Sequence, residues 1–208
     1  MKRFFILFII LLSGTTLLAQ EIQPKDLPVE ANSVQKFIPK GWKQLHSTTG
    51  DFNKDQLEDV AVVIGNSKQW MLVVLMKEEY NVTYLRDFAS SFSSIEYISK
   101  IGKRGNTLQL TFDLPSYSNG HIINVFSRIN ASGAFEIIGH SEETYEDNDA
   151  AAKKKVLKGL FKDVNLVTGT VEESSIVGTK RTIKKKYKEK VKKLLLLGEI
   201  DQLPVMNW

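Results

Sequence analysis

The feature that most constrains the fold is a series of short apolar runs separated by polar segments of only three residues. The runs cover residues 59–65, 69–76 and 80–85, and the polar segments are 66–68 and 77–79. Parallel neighbours need a crossover of about a dozen residues, so connections this short predict antiparallel pairing. The first run is rich in valine and has no polar alternation, which predicts a strand buried on both faces.

Further strand-like segments follow in the rest of the chain. Leu108, Leu110 and Phe112 alternate with polar residues, as in a half-buried strand. The segments 150–160 and 34–38 have some helical character, and Pro39 should stop a helix in the second. We therefore predict a mainly β fold, an antiparallel meander of hairpins with at most one or two short helices. Further predictions are strands at 95–101, 122–129, 134–139 and 161–168, and a loop at 87–94.

The chain has 208 residues, of which 42% are apolar. This length allows one domain with a substantial core and is short for two. We expect a signal peptide at residues 1–20, an extended leader at 21–32, a single β-rich domain at 33–201 and a C-terminal tail at 202–208.

The N-terminal segment has the composition of a secretory signal. Lys2 and Arg3 precede the apolar stretch 4–12, and small residues lead to Ala19, so we predict cleavage after Ala19 or Gln20. The apolar stretch is shorter than the roughly 20 residues of a membrane span. The sequence contains no cysteine, hence no lipoprotein attachment site and no disulfide. These features predict a periplasmic or secreted protein with no membrane span in the mature chain.

The excess positive charge is concentrated in one lysine-rich run at residues 184–193. Ile183, Tyr187 and Val191 are four residues apart, which fits a helix face, but the β-branched composition also fits a strand. We favour an edge strand, since lysines on an edge prevent pairing with other sheets. Tyr187 is the only aromatic residue in the run, which disfavours nucleic acid as a partner.

One acidic loop stands directly before the first apolar run. Side-chain oxygens recur at Asp51, Asn53 and Asp55, a further carboxylate follows at Asp59, and Leu57 would offer its main-chain carbonyl. Calcium takes six to eight oxygen ligands, and a loop that alternates ligand and spacer can surround one ion. The spacing predicts a structural calcium site. The alternative is a metal-free turn in which the Asx side chains bond their own backbone.

Residues 50–63, which read GDFNKDQLEDVAVV, resemble the strand-linked calcium loop of FG-GAP and VCBS repeats, the type found in integrin α propellers. An EF-hand is disfavoured, because Val62 stands where that motif has a glutamate. Gln56 stands where the FG-GAP loop usually has glycine; a positive φ there would cost about 1 kcal/mol. The resemblance implies ligand roles for Asp51, Asn53, Asp55, Asp59 and the carbonyl of Leu57.

A weaker resemblance extends over residues 37–201. The acidic loop together with the VNLVTG stretch at 164–169 is similar to a family of exported bacterial proteins of uncharacterised activity that carry one such loop. This resemblance implies a fold and a location, and it brings no activity with it.

No feature of the sequence singles out a catalytic site. His46, His121 and His140 are far apart and show no ligand spacing, and Asp113 with Glu136 is the kind of carboxylate pair that any β-rich chain offers. Nucleophile elbows, phosphate loops and zincin signatures are missing from the sequence. We therefore expect a non-enzymatic envelope or secreted protein with a structural role or a protein or polysaccharide partner. The alternative is a hydrolase acting on envelope or other polymers, with a site that the sequence does not locate.

Three aromatic residues suggest two alternative roles. Trp42, Trp70 and Phe92 could line a sugar-binding face, but aromatic residues in a β fold more often belong to the core. The sequence alone leaves both interpretations open. Exposed rings would favour a sugar-binding face, and buried rings would favour packing in the core.

Overall fold

The computed structural model describes residues 21–78, 83–114, 120–146, 158–177, 180–190 and 193–206. Within these ranges the chain forms twelve strands in two antiparallel sheets, together with five short 3-10 segments. The described residues contain no α-helix. The prediction of a mainly β, antiparallel, single-domain fold is confirmed.

The first sheet contains the apolar runs that were predicted as neighbours. Its strands are β1 (Glu30–Ala31), β2 (Lys43–Gly50), β3 (Asp59–Gly65), β4 (Trp70–Lys77) and β5 (Tyr84–Ser90). They lie in the order β1-β5-β4-β3-β2, with Val62 of β3 opposite Val73 of β4. The Asn66 carboxamide oxygen accepts hydrogen bonds from the N–H groups of Lys68 and Gln69, which closes the β3–β4 turn.

The second sheet is a seven-stranded meander. Its strands are β6 (Ile98–Arg104), β7 (Thr107–Leu114), β8 (His121–Ile129), β9 (Phe135–Glu146), β10 (Lys158–Asn165), β11 (Thr170–Val177) and β12 (Lys180–Lys188). Every strand pairs with its neighbour in sequence, from β6 at one edge to β12 at the other. Gly105 in the β6–β7 turn has a φ of 61°, a conformation that glycine adopts without steric cost. Residues 184–188 of the lysine-rich run lie in the edge strand β12, which confirms the predicted edge strand for that part of the run.

The main hydrophobic core lies between the two sheets. The first sheet contributes alternate residues of β3 and β4, and the second contributes β6 to β9, while the 3-10 segments near the C-terminus close one side. Burial removes the apolar side chains from water, and each large aliphatic one contributes about 1.5–3 kcal/mol to stability. Members that are fully buried include Ala61, Leu72, Val74, Leu108, Leu110, Phe112, Ile123, Val125, Ile137, Leu197 and Ile200.

A second, smaller core covers the opposite face of the first sheet. There the segment that precedes β2 folds across the sheet, and its Leu27, Phe37 and Trp42 pack on β3 and β4. β3 is consequently buried along its whole length, with packing on both faces. This confirms the interpretation of its uninterrupted valine run.

Helical structure in the described ranges is limited to 3-10 segments. The helical spacing at residues 34–38 produces one such segment, Val34–Phe37, which ends before Pro39. The others are Pro24–Asp26, Ser93–Tyr97, Leu197–Gln202 and Pro204–Met206.

Several predicted boundaries were wrong. Residues 87–90 of the predicted loop belong to β5, because Ser90 still pairs with Leu72 of β4. The predicted strand at 95–101 begins only at Ile98, after a 3-10 segment. The tertiary pairing in each case overrides the local pattern.

The β10 strand begins at Lys158, so the predicted helix does not reach Leu160. The rest of that prediction, residues 150–157, lies outside the described residues. β9 continues to Glu146, well beyond the predicted end at residue 139, because β8 and β10 both pair with it.

The segments assigned as leader and tail contribute to the packed structure. In the range 21–32, Leu27 is buried and β1 pairs with β5. In the range 202–206, Leu203 and Met206 are buried in the main core. The predicted signal peptide lies outside the described residues. None of the described helices has the length and apolar composition needed to cross a membrane.

The β9 and β10 backbones approach each other closely at Gly139 of β9. A Cβ added there would lie 2.7 Å from the Val164 carbonyl oxygen, whereas one added at Gly102 of β6 would meet nothing within 4 Å. Because the β10 backbone would have to move, we expect Gly139→Ala to lower the free energy of unfolding by about 1–3 kcal/mol. Gly102→Ala should change it by no more than about 0.5 kcal/mol. Urea denaturation of both variants measures this, and equal losses would contradict the packing described.

Candidate metal site

The acidic loop connects β2 to β3 at one end of the sandwich. Gly50 and Asp59 are the last paired residues of the two strands, so the loop is closed at its base by the sheet. The Phe52 ring is buried in the main core, with its centroid 6.4 Å from that of Phe135 in an edge-to-face arrangement. The side-chain amide of Asn106, in the β6–β7 turn, donates to the Asp51 carbonyl oxygen. The loop is therefore attached to both sheets.

The side chains of the first three predicted ligands face the centre of the loop. One oxygen of Asp51 and the carboxamide oxygen of Asn53 both accept from the N–H of Asp55, at 3.0 and 3.1 Å. The Asn53 amide nitrogen in turn donates to Asp55 Oδ2 at 2.7 Å. The loop thus brings Asp51, Asn53 and Asp55 together.

The main chain curls around these oxygens. Gln56 N–H donates to Asp51 Oδ2 at 3.2 Å, and Leu57 N–H donates to Asp55 Oδ1 at 2.8 Å. Lys54 and Gln56 have φ values of 69° and 73°, in the left-handed region that L side chains rarely occupy. The glutamine at the family's glycine position therefore does adopt the conformation that favours glycine.

Asp59 lies beneath the loop and is fully buried. Its carboxylate accepts hydrogen bonds from the N–H of Phe52 at 2.8 Å and from the N–H of Lys77 at 3.0 Å, so it joins the loop to the end of β4. Burial raises the pKa of this carboxyl, the nearby charge of Asp55 adds to the rise, and the hydrogen bonds from Lys77 and Phe52 oppose it. Within the described ranges no basic side chain forms an ion pair with Asp59.

The predicted ligand set mixes carboxylate, amide and main-chain oxygens. Across the residues that the structure describes, no three His, Asp or Glu side chains gather as a metal-binding group. A calcium ion at this loop would therefore need the Asn53 carboxamide and the Leu57 carbonyl besides the carboxylates, and calcium accepts such oxygens readily. Glu58 takes no part, since its carboxylate accepts from the Thr49 hydroxyl at 2.8 Å.

The carboxylate pair considered for a hydrolase is not formed. Asp113 lies opposite Ile122 of β8, whereas Glu136 lies opposite Arg128 of the same strand. At about 3.3 Å per residue, these positions are roughly 20 Å apart along the sheet. Glu136 also has Arg128 within 3.5 Å as an ionic partner.

The three aromatic residues considered for a sugar-binding face do not form one. Trp42 and Phe92 are buried in two different cores. The Trp70 ring is half-buried, and its indole N–H donates to the Asn66 carbonyl oxygen at 2.9 Å. These rings therefore serve packing.

Two of the histidines line the same cavity, which the sequence analysis missed. His121 and His140 line one cavity in the second sheet, while His46 lies in β2 of the first sheet. They come from neighbouring strands and are nineteen positions apart in the chain, so no local spacing could reveal them. Their shared cavity depends on the β8–β9 register.

Comparison with known proteins adds no further information about the site. No family model matches the chain, and no curated protein or solved structure matches it either. Function must therefore be argued from the geometry.

Gln56 offers a direct test of backbone strain in the loop. Because its φ is positive, we expect Gln56→Gly to raise the free energy of unfolding by about 1 kcal/mol in the presence of a chelator. Gln56→Ala removes the same side chain but keeps a Cβ, so it should give no such gain. Denaturant unfolding of the two variants measures the difference, and a loss of stability in Gln56→Gly would refute strain at this residue.

Proposed function

We propose that this chain is an exported, non-enzymatic β-sandwich protein in which the loop 51–59 holds a structural calcium ion. The observation that carries the proposal is the fully buried Asp59 carboxylate, which has no basic partner in the described residues and lies under a ring of inward-facing oxygens. The main-chain N–H groups of Phe52 and Lys77 offset only part of the cost of burying this carboxylate, and a bound cation would offset more of it.

The proposed ligands are the side chains of Asp51, Asn53, Asp55 and Asp59 and the main-chain carbonyl of Leu57. The ion would supply positive charge where several carboxylates stand within nine residues. Since the loop joins β2 to β3 of the first sheet and contacts the second sheet through Phe52 and Asn106, ordering it would stabilise the junction between them. Its role would be structural, with the weak affinity that is typical of extracellular modules.

The competing interpretation is a loop that needs no metal. The same Asx oxygens accept hydrogen bonds from the N–H groups of Asp55, Gln56 and Leu57, and such bonds alone stabilise many turns. The two interpretations differ in the effect of calcium on stability, which can be measured.

The exported location rests on the predicted signal segment, and the lack of cysteine in the sequence excludes a lipoprotein attachment site. The role outside the cell would be structural or would involve a protein or polysaccharide partner. The hydrolase alternative has less support, since Asp113 and Glu136 are too far apart to act on one bond.

Calcium should stabilise the protein through this loop. For a dissociation constant near 10⁻⁴ M, 10 mM calcium would add about 2.7 kcal/mol of stability. For a chain of this size that raises the melting temperature by roughly 5–10 °C relative to excess chelator. Asp55→Ala should abolish the increment, and scanning calorimetry measures it.

Glu58→Ala is the matched control for this experiment. It removes one carboxylate from the same loop, but Glu58 bonds to Thr49 and is not a proposed ligand. The increment should survive in this variant. If calcium leaves the melting temperature of the wild type unchanged, the proposed site is refuted. If Asp55→Ala and Glu58→Ala lose the calcium-dependent increment equally, the effect is general relief of charge repulsion and not binding at this site.

Export can be tested separately from metal binding. In a bacterial host we expect the protein recovered from the periplasm or medium to begin at Gln20 or Glu21, as determined by mass spectrometry of its N-terminus. Ile9→Asp places a charge in the apolar stretch and should leave an uncleaved chain in the cytoplasm. A wild-type chain that keeps Met1 in the cytoplasm would contradict the proposed location.

A further inference from the structure

A cavity of about 350 Å³ lies on the core-facing side of the second sheet, where the main core gives way to charged residues. His140 of β9 lies opposite Val125 of β8, and Glu142 lies opposite Ile123. Val125 and Ile123 are residues of the main core. Directly opposite residues of an antiparallel pair share a face, so both polar side chains belong to the core-facing side. Lys162 of β10 pairs with Glu142 and joins them.

The charged groups of this cavity are only partly paired. His121 Nε2 and Glu142 Oε1 are 2.8 Å apart and form an internal pair. Lys162 and Glu189 also line the cavity, and neither has an ion-pair partner among the described residues. Lys162 thus remains available to a ligand, and so does the charge of Glu189, which interacts with the neutral hydroxyl of Tyr187.

His140 adds an unsatisfied polar group to the same cavity. The residue is 8% exposed, and its buried Nδ1 has no hydrogen-bond partner in the part of the chain that the structure describes. Desolvation, together with the nearby charge of Lys162, lowers the pKa of His140 to about 4. The ring is therefore neutral at pH 7. Leaving such a group unpaired is costly, which makes this position unusual for a purely structural residue.

The remaining wall is apolar. Leu203, Pro204 and Val205 close the cavity from the C-terminal 3-10 segment, while Val164 and Leu166 belong to β10 and the turn that follows. The cavity therefore combines one aliphatic side with two separate, opposite charges. Its volume lies at the lower end of the range for small-molecule sites.

We propose that this cavity binds a zwitterionic small molecule with an apolar side chain, of the size and chemistry of a hydrophobic amino acid. The ligand carboxylate would contact Lys162, its ammonium group would contact Glu189, and its side chain would pack on Leu203 and Val205. This inference is independent of the calcium loop, which lies between β2 and β3 of the first sheet.

Charge complementarity distinguishes this ligand from simpler ones. A plain anion would face the charge of Glu189 as well as that of Lys162, and a plain cation would face the charge of Lys162 as well as that of Glu189. A molecule with both charges compensates each free group, and like charges at close range are avoided. The aliphatic wall then selects ligands with an apolar body.

Titration calorimetry of the purified protein with L-leucine and L-phenylalanine tests the proposal. We expect saturable binding that is weakened at least tenfold by Lys162→Met, which removes a charged hydrogen-bond donor. Glu189→Gln should weaken it by a smaller factor, roughly threefold, because this side chain is exposed. Lys158→Met, in the same strand but outside the cavity, should leave binding unchanged.

Two leucine analogues separate the contribution of the ligand's ammonium group from that of its carboxylate. Their affinities relative to leucine are measured on the wild-type protein and do not rely on the folding of any variant. The analogue 4-methylpentanoate lacks the ammonium group, and 3-methylbutylamine lacks the carboxylate. Both should bind more weakly than leucine. Binding of 4-methylpentanoate should depend on Lys162 and not on Glu189, and binding of the amine should show the reverse.

Histidine ring signals in NMR spectra locate the binding. Leucine should shift the signals of His121 and His140 and leave that of His46, in the first sheet, unchanged. The proposal is overturned if neither amino acid binds saturably, if Lys162→Met binds as well as the wild type, or if 4-methylpentanoate binds as tightly as leucine. A shift confined to His46 would equally overturn it.

Discussion

The pairing of β3 with β4 is the interaction on which the rest of the structure depends. Alternate residues of these two strands enter the main core on one face and the smaller core on the other, so their side chains form part of both. The second sheet packs against one face and the N-terminal segment around Phe37 and Trp42 against the other. Because the chain has no disulfide to supplement it, this double burial supplies most of the cohesion.

The two proposed sites differ in their relation to the β3–β4 pair: one adjoins it and the other lies in the second sheet. The acidic loop is an extension of it, since Asp59 is the first residue of β3 and its carboxylate accepts a hydrogen bond from Lys77 at the end of β4. The cavity between His140 and Lys162 lies in the second sheet, where charged residues replace the apolar ones of the core. The proposed calcium site would thus strengthen the junction of the sheets, and the proposed ligand site would use space that the core does not fill.

Local patterns predicted what depends on neighbours in sequence. The strand at 59–65 and the edge position of β12 followed from composition and turn length. The inward orientation of Asp51, Asn53 and Asp55 is also local, since five residues of one turn contain all the groups involved. Predictions failed where pairing decided the outcome: β5 and β9 both continue through polar residues because a neighbouring strand offers hydrogen bonds along their length.

The sequence by itself thus determined an antiparallel β domain with a doubly buried strand and an oxygen-lined loop, because alternation, turn length and ligand spacing act over a few residues. Only the tertiary structure decided that Asp59 is buried with no basic partner among the described residues, and that His121, His140 and Lys162 share one cavity. These facts depend on strand register and on which part of a sheet its partner covers. A register shift of one residue would turn every such side chain to the other face, and no local pattern specifies that choice.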